Sequence, residues 1–515
     1  MPDILKEMLK KLPAGKISEA TFEGANIVLY TKDREYFIDN KGTIRALVNE
    51  FKKRVELRPD PAISIDEDKA KKIIKKLIPE ESGVSEFIFD APRSRVIIHV
   101  EKPGVAIGKQ GSILKEIRKE TMWVPLVRRM PPIRSKIIES TRAVVYQNAE
   151  YRKKFLDKVG HRVYDGWLRE KKHEWIRLTF LGGARQVGRS CLLLQTPESR
   201  ILLDCGIDPG TDTESYPYLD APEFDIKNLD AVIVGHSHLD HSGLVPYLFK
   251  YGYEGPVYCT APTRDCMALL QLDFVKIQRN EGKEPIYTSE EVKDMVLHTI
   301  TVGFDSVTDI TPDVRMTFYN SGHILGAAMV HLNIGNGLHN LLYTGDLKFG
   351  KTHLLDAAHT QFPRVETVVI ESTYGGRGNV MAQTAADDYL ADVIIKTVKR
   401  GGKVLVPVLG SGRAQEVMVL VEELIQKKKI NPIKVYVDGL LWDIAAIHTA
   451  YPEFLNRNMR QLIFHENKNP FLADTFQRVG SQKERREIID SGESCVILAT
   501  SGMLFGGPSV EYLKG

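Results

Sequence analysis

Cysteine and tryptophan are scarce in this chain, which has five of the one and four of the other among 515 residues. The cysteines (Cys191, Cys205, Cys259, Cys266, Cys495) are odd in number, scattered and never in CxxC spacing. That excludes a disulfide framework and a cysteine zinc site, and predicts buried thiols. Long apolar runs are also lacking: nothing approaches the roughly 18 uninterrupted residues of a membrane span, and the opening MPDILKEMLKK has no apolar signal core. The expectation is a cytoplasmic protein with no membrane contact. Net charge is nearly absent, +3 from 70 Lys plus Arg against 67 Asp plus Glu. With 43% hydrophobic and 27% charged residues, the composition excludes a fibrous or disordered chain. At about 100–200 residues per domain, the length predicts three or four domains.

The near-neutral total conceals an asymmetry. Residues 1–90 are balanced, residues 91–175 are strongly basic, and the remainder is acidic. A basic segment joined to an acidic one suggests a polyanion partner for the first, although a solvated basic helix has the same composition.

The N-terminal third repeats itself. MLKKLP, a strand-like stretch and GTIRALVNEFKKRVELRPDP are followed by IIKKLIP, VSEFIFDAPRSRVIIHV, GVAIGKQGSILKEIRKET and WVPLVRRMPP. Lys10 and Lys75, Gly42 and Gly111, and Arg58 and Arg129 occupy equivalent places. This predicts two related α+β units, 1–68 and 69–140, with a helical, charged connector over 141–176 read as a solvated interdomain helix. In the second unit Gly108-Lys109-Gln110-Gly111 resembles the GxxG loop of a type II KH domain. Glycines there let the chain approach the phosphates of about four single-stranded nucleotides. The resemblance implies single-stranded RNA as partner, with Arg93 and Arg95 on a neighbouring strand and Lys115, Arg118 and Lys119 on the following helix as further contacts. The first unit has Asp39-Asn40-Lys41-Gly42 at the matching place, with an acidic residue for the leading glycine, and is read as a structural partner.

Past Trp175 the text changes to short apolar strands and Gly-rich turns, and one strand ends in Gly235-His236-Ser237-His238-Leu239-Asp240-His241. Three imidazoles and a carboxylate within six residues are suited to holding divalent cations and very unusual in a core, where a histidine occurs alone and satisfied. Ser321-Gly322-His323 and Gly345-Asp346 follow later strands. Asp204, HxHxDH, His323 and Asp346 in that order resemble the metallo-β-lactamase fold. The resemblance implies two Zn²⁺ ions: one on His236, His238 and His323, one on Asp240 and His241, Asp346 bridging, and Asp204 orienting a ligand from behind. Such a pair shares a hydroxide whose parent water has its pKa lowered from 15.7 to about 7. It serves phosphodiesters, thioesters and lactams alike.

Glu371-Ser372-Thr373-Tyr374 and Gly410-Ser411-Gly412-Arg413-Ala414-Gln415-Glu416 sit in alternating strand and helix text that predicts a parallel α/β insertion. They resemble the β-CASP branch of the metallo-β-lactamases, which acts on nucleic acids. The resemblance implies that Glu371 is the family's motif A acidic residue, catalytic together with Asp240, and Arg413, at a helix start, is read as a phosphate contact or else a cap-region ion pair. The predicted class is thus α/β: a metallo-β-lactamase αββα sandwich (177–372) with an inserted β-CASP domain (373–515), preceded by two KH-like domains. The order is similar to that of archaeal homologues of the cleavage and polyadenylation specificity factor nuclease. That resemblance implies an endoribonuclease, also 5′–3′ exoribonuclease, in RNA 3′-end formation and transcription termination, with RNA polymerase or other transcription machinery as partner. Alternatives are a glyoxalase-type hydrolase, a DNA nuclease of the same superfamily, and a noncatalytic RNA-binding scaffold. Members of that family carry two further histidines, a general acid and a seventh zinc ligand, which the sequence does not reach before Gly515. A C-terminally shortened enzyme is therefore expected, missing the region through which a homodimer would form. His465 is read as a surface or cleft histidine.

Overall fold

The computed structural model describes residues 4–165, 175–210, 215–376, 378, 381–504 and 506–515. The repeat is a repeat of topology. In the first unit helix Ile4–Lys10 precedes strands Glu19–Glu23 and Asn26–Thr31, helices Arg34–Ile38 and Thr43–Phe51, and strand Val55–Pro59. The second runs Glu67–Leu77, Val84–Asp90, Arg95–Val100, Pro103–Ile107, Ser112–Thr121 and Val124–Arg129 in the same order. Each sheet has an antiparallel hairpin and a third strand parallel to its middle one. In the second unit Val96, Ile98 and Val100 alternate toward the helices and bury Ile74, Ile117 and Trp123, as a period of two requires of a one-sided sheet.

Between the two units lies a buried charge network. Arg58 is fully buried and donates to Glu23 at 2.5 and 2.8 Å and to Glu56 at 2.7 Å. Burial alone would raise the Glu23 carboxyl, but Arg58 and Arg95 outweigh it and hold it at about 2. This network corrects the assignment of three arginines to RNA. Arg95 is bound to Glu23 and Glu56 at 3.2 and 2.8 Å, Arg93 is buried against Asp90 at 2.5 Å, and Arg118 lies 4.6 Å over the Phe37 ring. A buried arginine satisfied by carboxylates costs several kcal/mol to unpair, so Arg93 and Arg95 are not offered to a strand, whereas Arg118 is half-buried against a ring and has no carboxylate partner among the described residues.

The connector is also corrected. Its helices Lys136–Gln147 and Ala149–Val163 are packed braces, and residues 166–174 lie outside the described residues. Arg142 on the first binds Asp265 of helix Ala261–Asn280 at 2.9 Å. On the second, Arg152 is buried against the carbonyls of Leu297 and Thr299, and Asp157 accepts the Phe22 amide at 2.9 Å. Of the connector tyrosines, Tyr164 is buried while Tyr151 bonds His298 at 2.9 Å.

Two sheets then pack face to face. One has six strands ordered Thr299–Thr301, Val257–Cys259, Ala231–Ile233, Arg200–Leu203, Cys191–Gln195, Arg177–Gly182; the other has five, from Thr308–Asp309 to Thr367–Val369. Leu194, Ile201 and Ile233 meet Phe318, Val330 and Leu341 between them, and each such buried side chain contributes about 1.5–3 kcal/mol. Helices including Ala261–Asn280 cover the outer face of the first sheet. Residues 373–515 form a parallel sheet of Val404–Pro407, Val496–Ala499, Val435–Asp438 and Phe476–Val479 with flanking helices. All five cysteines are buried, and no helix among the described residues is long and apolar enough to cross a membrane.

Candidate metal centre

Strand register builds the site. Strands Arg200–Leu203 and Ala231–Ile233 run parallel with Leu203 opposite Ile233, so Asp204 and the HxHxDH turn emerge side by side at the same sheet end. Parallel strands expose their carboxyl ends together, where a crevice forms. Asp204 takes the left-handed backbone region (φ 58) and is fully buried. One oxygen accepts the Gly235 amide at 2.8 Å; the other accepts His241 Nδ1 at 2.7 Å and the Tyr343 hydroxyl at 2.6 Å. His241 is thereby fixed with Nε2 facing inward. The chain is tight here: a Cβ on Gly206 would stand 1.7 Å from the Asp240 carbonyl oxygen.

From the facing sheet, strand Val314–Asn320 delivers His323 through Gly322 (φ 70), and strand His339–Tyr343 delivers Asp346. Two donor sets result, each with its ligand atoms within 4.8 Å of one another: His236, His238, His323 and Asp346, then His236, Asp240 and His241. His238 Nδ1 stands 3.2 Å from Nε2 of both His236 and His323. One Asp346 oxygen lies 3.4 Å from His323 and 3.8 Å from His236, and the other lies 3.3 Å from His241.

These distances suit a metal. Tetrahedral bonds of 2.0–2.1 Å place neighbouring nitrogens about 3.3 Å apart. Burial first, then the neighbouring imidazole of His238, lowers the His323 pKa to about 3, and His236 is lowered by burial and then by His241 and His238. Neutral rings offer ring-nitrogen lone pairs, the form in which histidine binds a metal. Burial pulls His241 down too, but Asp240 and Asp204 outweigh it and raise it, so this ring binds a proton unless a cation takes that place.

The C-terminal sheet domain contributes a contact that the sequence did not signal. His238 Nε2 donates to the Ser411 carbonyl at 3.3 Å, which leaves Nδ1 as the metal-facing atom. The Tyr343 hydroxyl was missed too, though its place three residues before Asp346 was a usable signal. Glu371 lies at the rim outside both donor sets, accepting amides of Thr373 at 2.9 Å and Leu347 at 3.5 Å. Arg413 begins helix Arg413–Gln426, is exposed, and exerts its charge on His323. Away from the centre, Gly108 (φ 73) and Gly111 (φ 72) frame an exposed Lys109 and Gln110, and Lys115 is exposed on the next helix, while Lys119 pairs with Glu116 at 3.3 Å. His465 is exposed.

A facing-sheet sandwich with an HxHxDH turn at its strand ends, an α/β domain after it and two KH-type units before it define a metallo-β-lactamase superfamily protein of β-CASP type. Family models match accordingly: a transcription termination factor FttA KH domain over 1–64, a KH domain over 69–122, a metallo-beta-lactamase superfamily domain over 193–372 and a Beta-Casp domain over 414–515. Proteins named transcription termination factor FttA are 50% identical in Methanocaldococcus jannaschii, with 100% of this chain covering 81% of that one, and 48% identical in Thermococcus kodakarensis, with 99% covering 81%. The chain belongs to the FttA family.

Proposed function

We propose that this chain is a zinc-dependent RNA phosphodiesterase that cleaves single-stranded RNA internally and from 5′ ends, in RNA 3′-end formation and transcription termination. The observation that carries the reading is the double donor set, sharing His236 and facing both oxygens of Asp346. Two ions held there would supply Lewis acidity and lower the pKa of a water to about 7. Asp346, with one oxygen toward each donor set, would serve both ions, while Ser411 orients His238 and Asp204 with Tyr343 orients His241. Arg413 would take a nonbridging phosphate oxygen, and Glu371, anchored by two amides, would be the acidic residue acting beside the metal pair. The GxxG loop, with Lys109 and Lys115, holds the strand. The relatives' name extends this to transcription termination; RNA polymerase as partner and a homodimer as working form are part of the same proposal. The boundaries 1–68, 69–140, 141–176, 177–372 and 373–515 are proposed as the functional units.

Asp240→Ala removes a ligand of the second set. Zinc by plasma emission is expected to fall from two ions to about one per chain, and cleavage of labelled single-stranded RNA to fall at least 100-fold. Equal cleavage by both proteins would sink the metal mechanism. Equal cleavage of single-stranded DNA would favour a DNA nuclease. Gly108→Asp with Gly111→Asp is expected to weaken RNA binding with zinc content unchanged; unaltered affinity would remove the KH assignment.

A further inference from the structure

A second basic surface lies beside the KH-like sheet, reaching from the face that carries His99 and Arg128 round to helix Pro103–Ile107. Arg128 is in register with His99, and both point away from the Val96, Ile98 and Val100 core. They line a cleft of about 1340 Å³ whose far wall is the β-CASP helix Arg457–Phe464 and whose floor is the connector helix carrying Tyr146. The charge is uneven. Arg142 and Arg264 are bound by Asp265, and Arg134 by Glu139. Lys102, Arg128 and Arg129 have no carboxylate partner among the described residues, and face Glu101 and Glu453. Arg129 instead stacks over the Phe464 ring at 5.1 Å, and Phe464 remains 42% exposed. Tyr146 lies 6.2 Å from His99 on the opposite side.

This cleft adjoins the GxxG loop. Lys102 precedes and Gly108 follows the helix Pro103–Ile107, whose five residues span about 7.5 Å. Lys109, Lys102 and Arg128 therefore form a track of cations without carboxylate partners from the loop into the cleft, continued by Arg129, which donates to the Glu101 carbonyl at 2.9 Å, with aromatic rings along its second half. Alternating cations and aromatic faces at the surface hold single-stranded nucleic acid, cations following phosphates and rings stacking bases.

Resting on the RNA reading above, we propose that this interdomain cleft is a second single-stranded RNA site, which takes the strand leaving the GxxG loop and delivers it onto the β-CASP domain.

The test is fluorescence anisotropy on the whole chain with 2′-O-methyl oligouridines, which resist cleavage, of roughly five and roughly twelve nucleotides. The wild type is expected to bind the longer strand at least about fivefold more tightly. Lys102→Glu with Arg128→Glu is expected to abolish that gain, keep the short-strand affinity, and reduce the slope of log affinity on log salt by about 1.4. Phe464→Ala, which alters no charge, is expected to lose about fivefold on the longer strand alone. Retention of the gain in these variants, or its absence in the wild type, overturns the proposal while leaving the loop assignment standing. Competition by polyglutamate as effective as that by RNA also overturns it, in favour of an acidic peptide site. Failure of the wild type to bind the short strand overturns the RNA reading itself.

Discussion

Asp204 carries more of the metal centre than its position outside the donor sets suggests. A carboxylate accepting three buried donors orients His241 and closes the turn at Gly235. Asp204→Asn keeps the shape but offers an NH₂ where a donor already points. Metal affinity is expected to fall about 10- to 100-fold, read by competition with a chromogenic chelator, with far-UV circular dichroism unchanged. Tyr343→Phe removes one donor and is expected to cost less than Asp204→Asn in the same assay. At this scale the sequence was informative where chemistry is local: histidines and aspartates in one turn declare themselves as ligands. It misled for Arg95 and Arg118, because a basic side chain shows its charge but not the carboxylate or ring that the first unit brings against it, and for Arg93, which folding turns inward onto Asp90 of its own unit.

Among elements, helix Ala149–Val163 shows how a packing contact reverses a propensity argument. Gly160 is in its last turns, and alanine there would gain about 1 kcal/mol on intrinsic preference. A Cβ at that point, however, stands 2.0 Å from Phe22 Cβ and 2.7 Å from the Gly24 carbonyl oxygen. Overpacking of this kind costs about 1–3 kcal/mol, so Gly160→Ala is expected to destabilise. Hydrogen exchange at the Phe22 amide, bonded to Asp157 on that helix, is expected to quicken, and the melting temperature to fall by a few degrees. Helical periodicity and charge marked the connector as helical, but a solvated helix and a packed brace differ in what lies against them, and composition is silent on that.

Across the whole molecule the metallo-β-lactamase core and β-CASP sheet domain are clasped at His353, which faces Asp387 at 2.9 Å and Glu423 at 3.4 Å from two β-CASP helices, with Glu416 accepting its amide at 2.7 Å. The Glu423 hydrogen bond, opposed by partial burial and joined by Asp387, raises the His353 pKa to about 9, and His353 in turn lowers Glu423 to about 2. A raised histidine binds its proton more tightly when folded. Its contribution is therefore complete below the unfolded value near 6.5 and is lost as pH climbs to about 9. The stability difference between wild type and His353→Gln is expected to be about 1–2 kcal/mol near pH 6, after allowance for solvent screening, and to vanish by about pH 9.5 in denaturant titrations. A difference constant across that range would remove the clasp. The same juxtaposition of domains puts the Ser411 carbonyl on His238, so metal-ligand orientation depends on domain closure. By itself the sequence determined the repeat, the order of domains and the candidate donor residues, because each rests on local spacing and on apolar periods that neighbouring turns must satisfy. Only the tertiary structure decided which ring nitrogen faces the metal, which arginines remain for RNA and where the connector lies. Those depend on contacts between segments far apart in the chain, and the energy of a charge or a hydrogen bond is fixed by its partner and its burial.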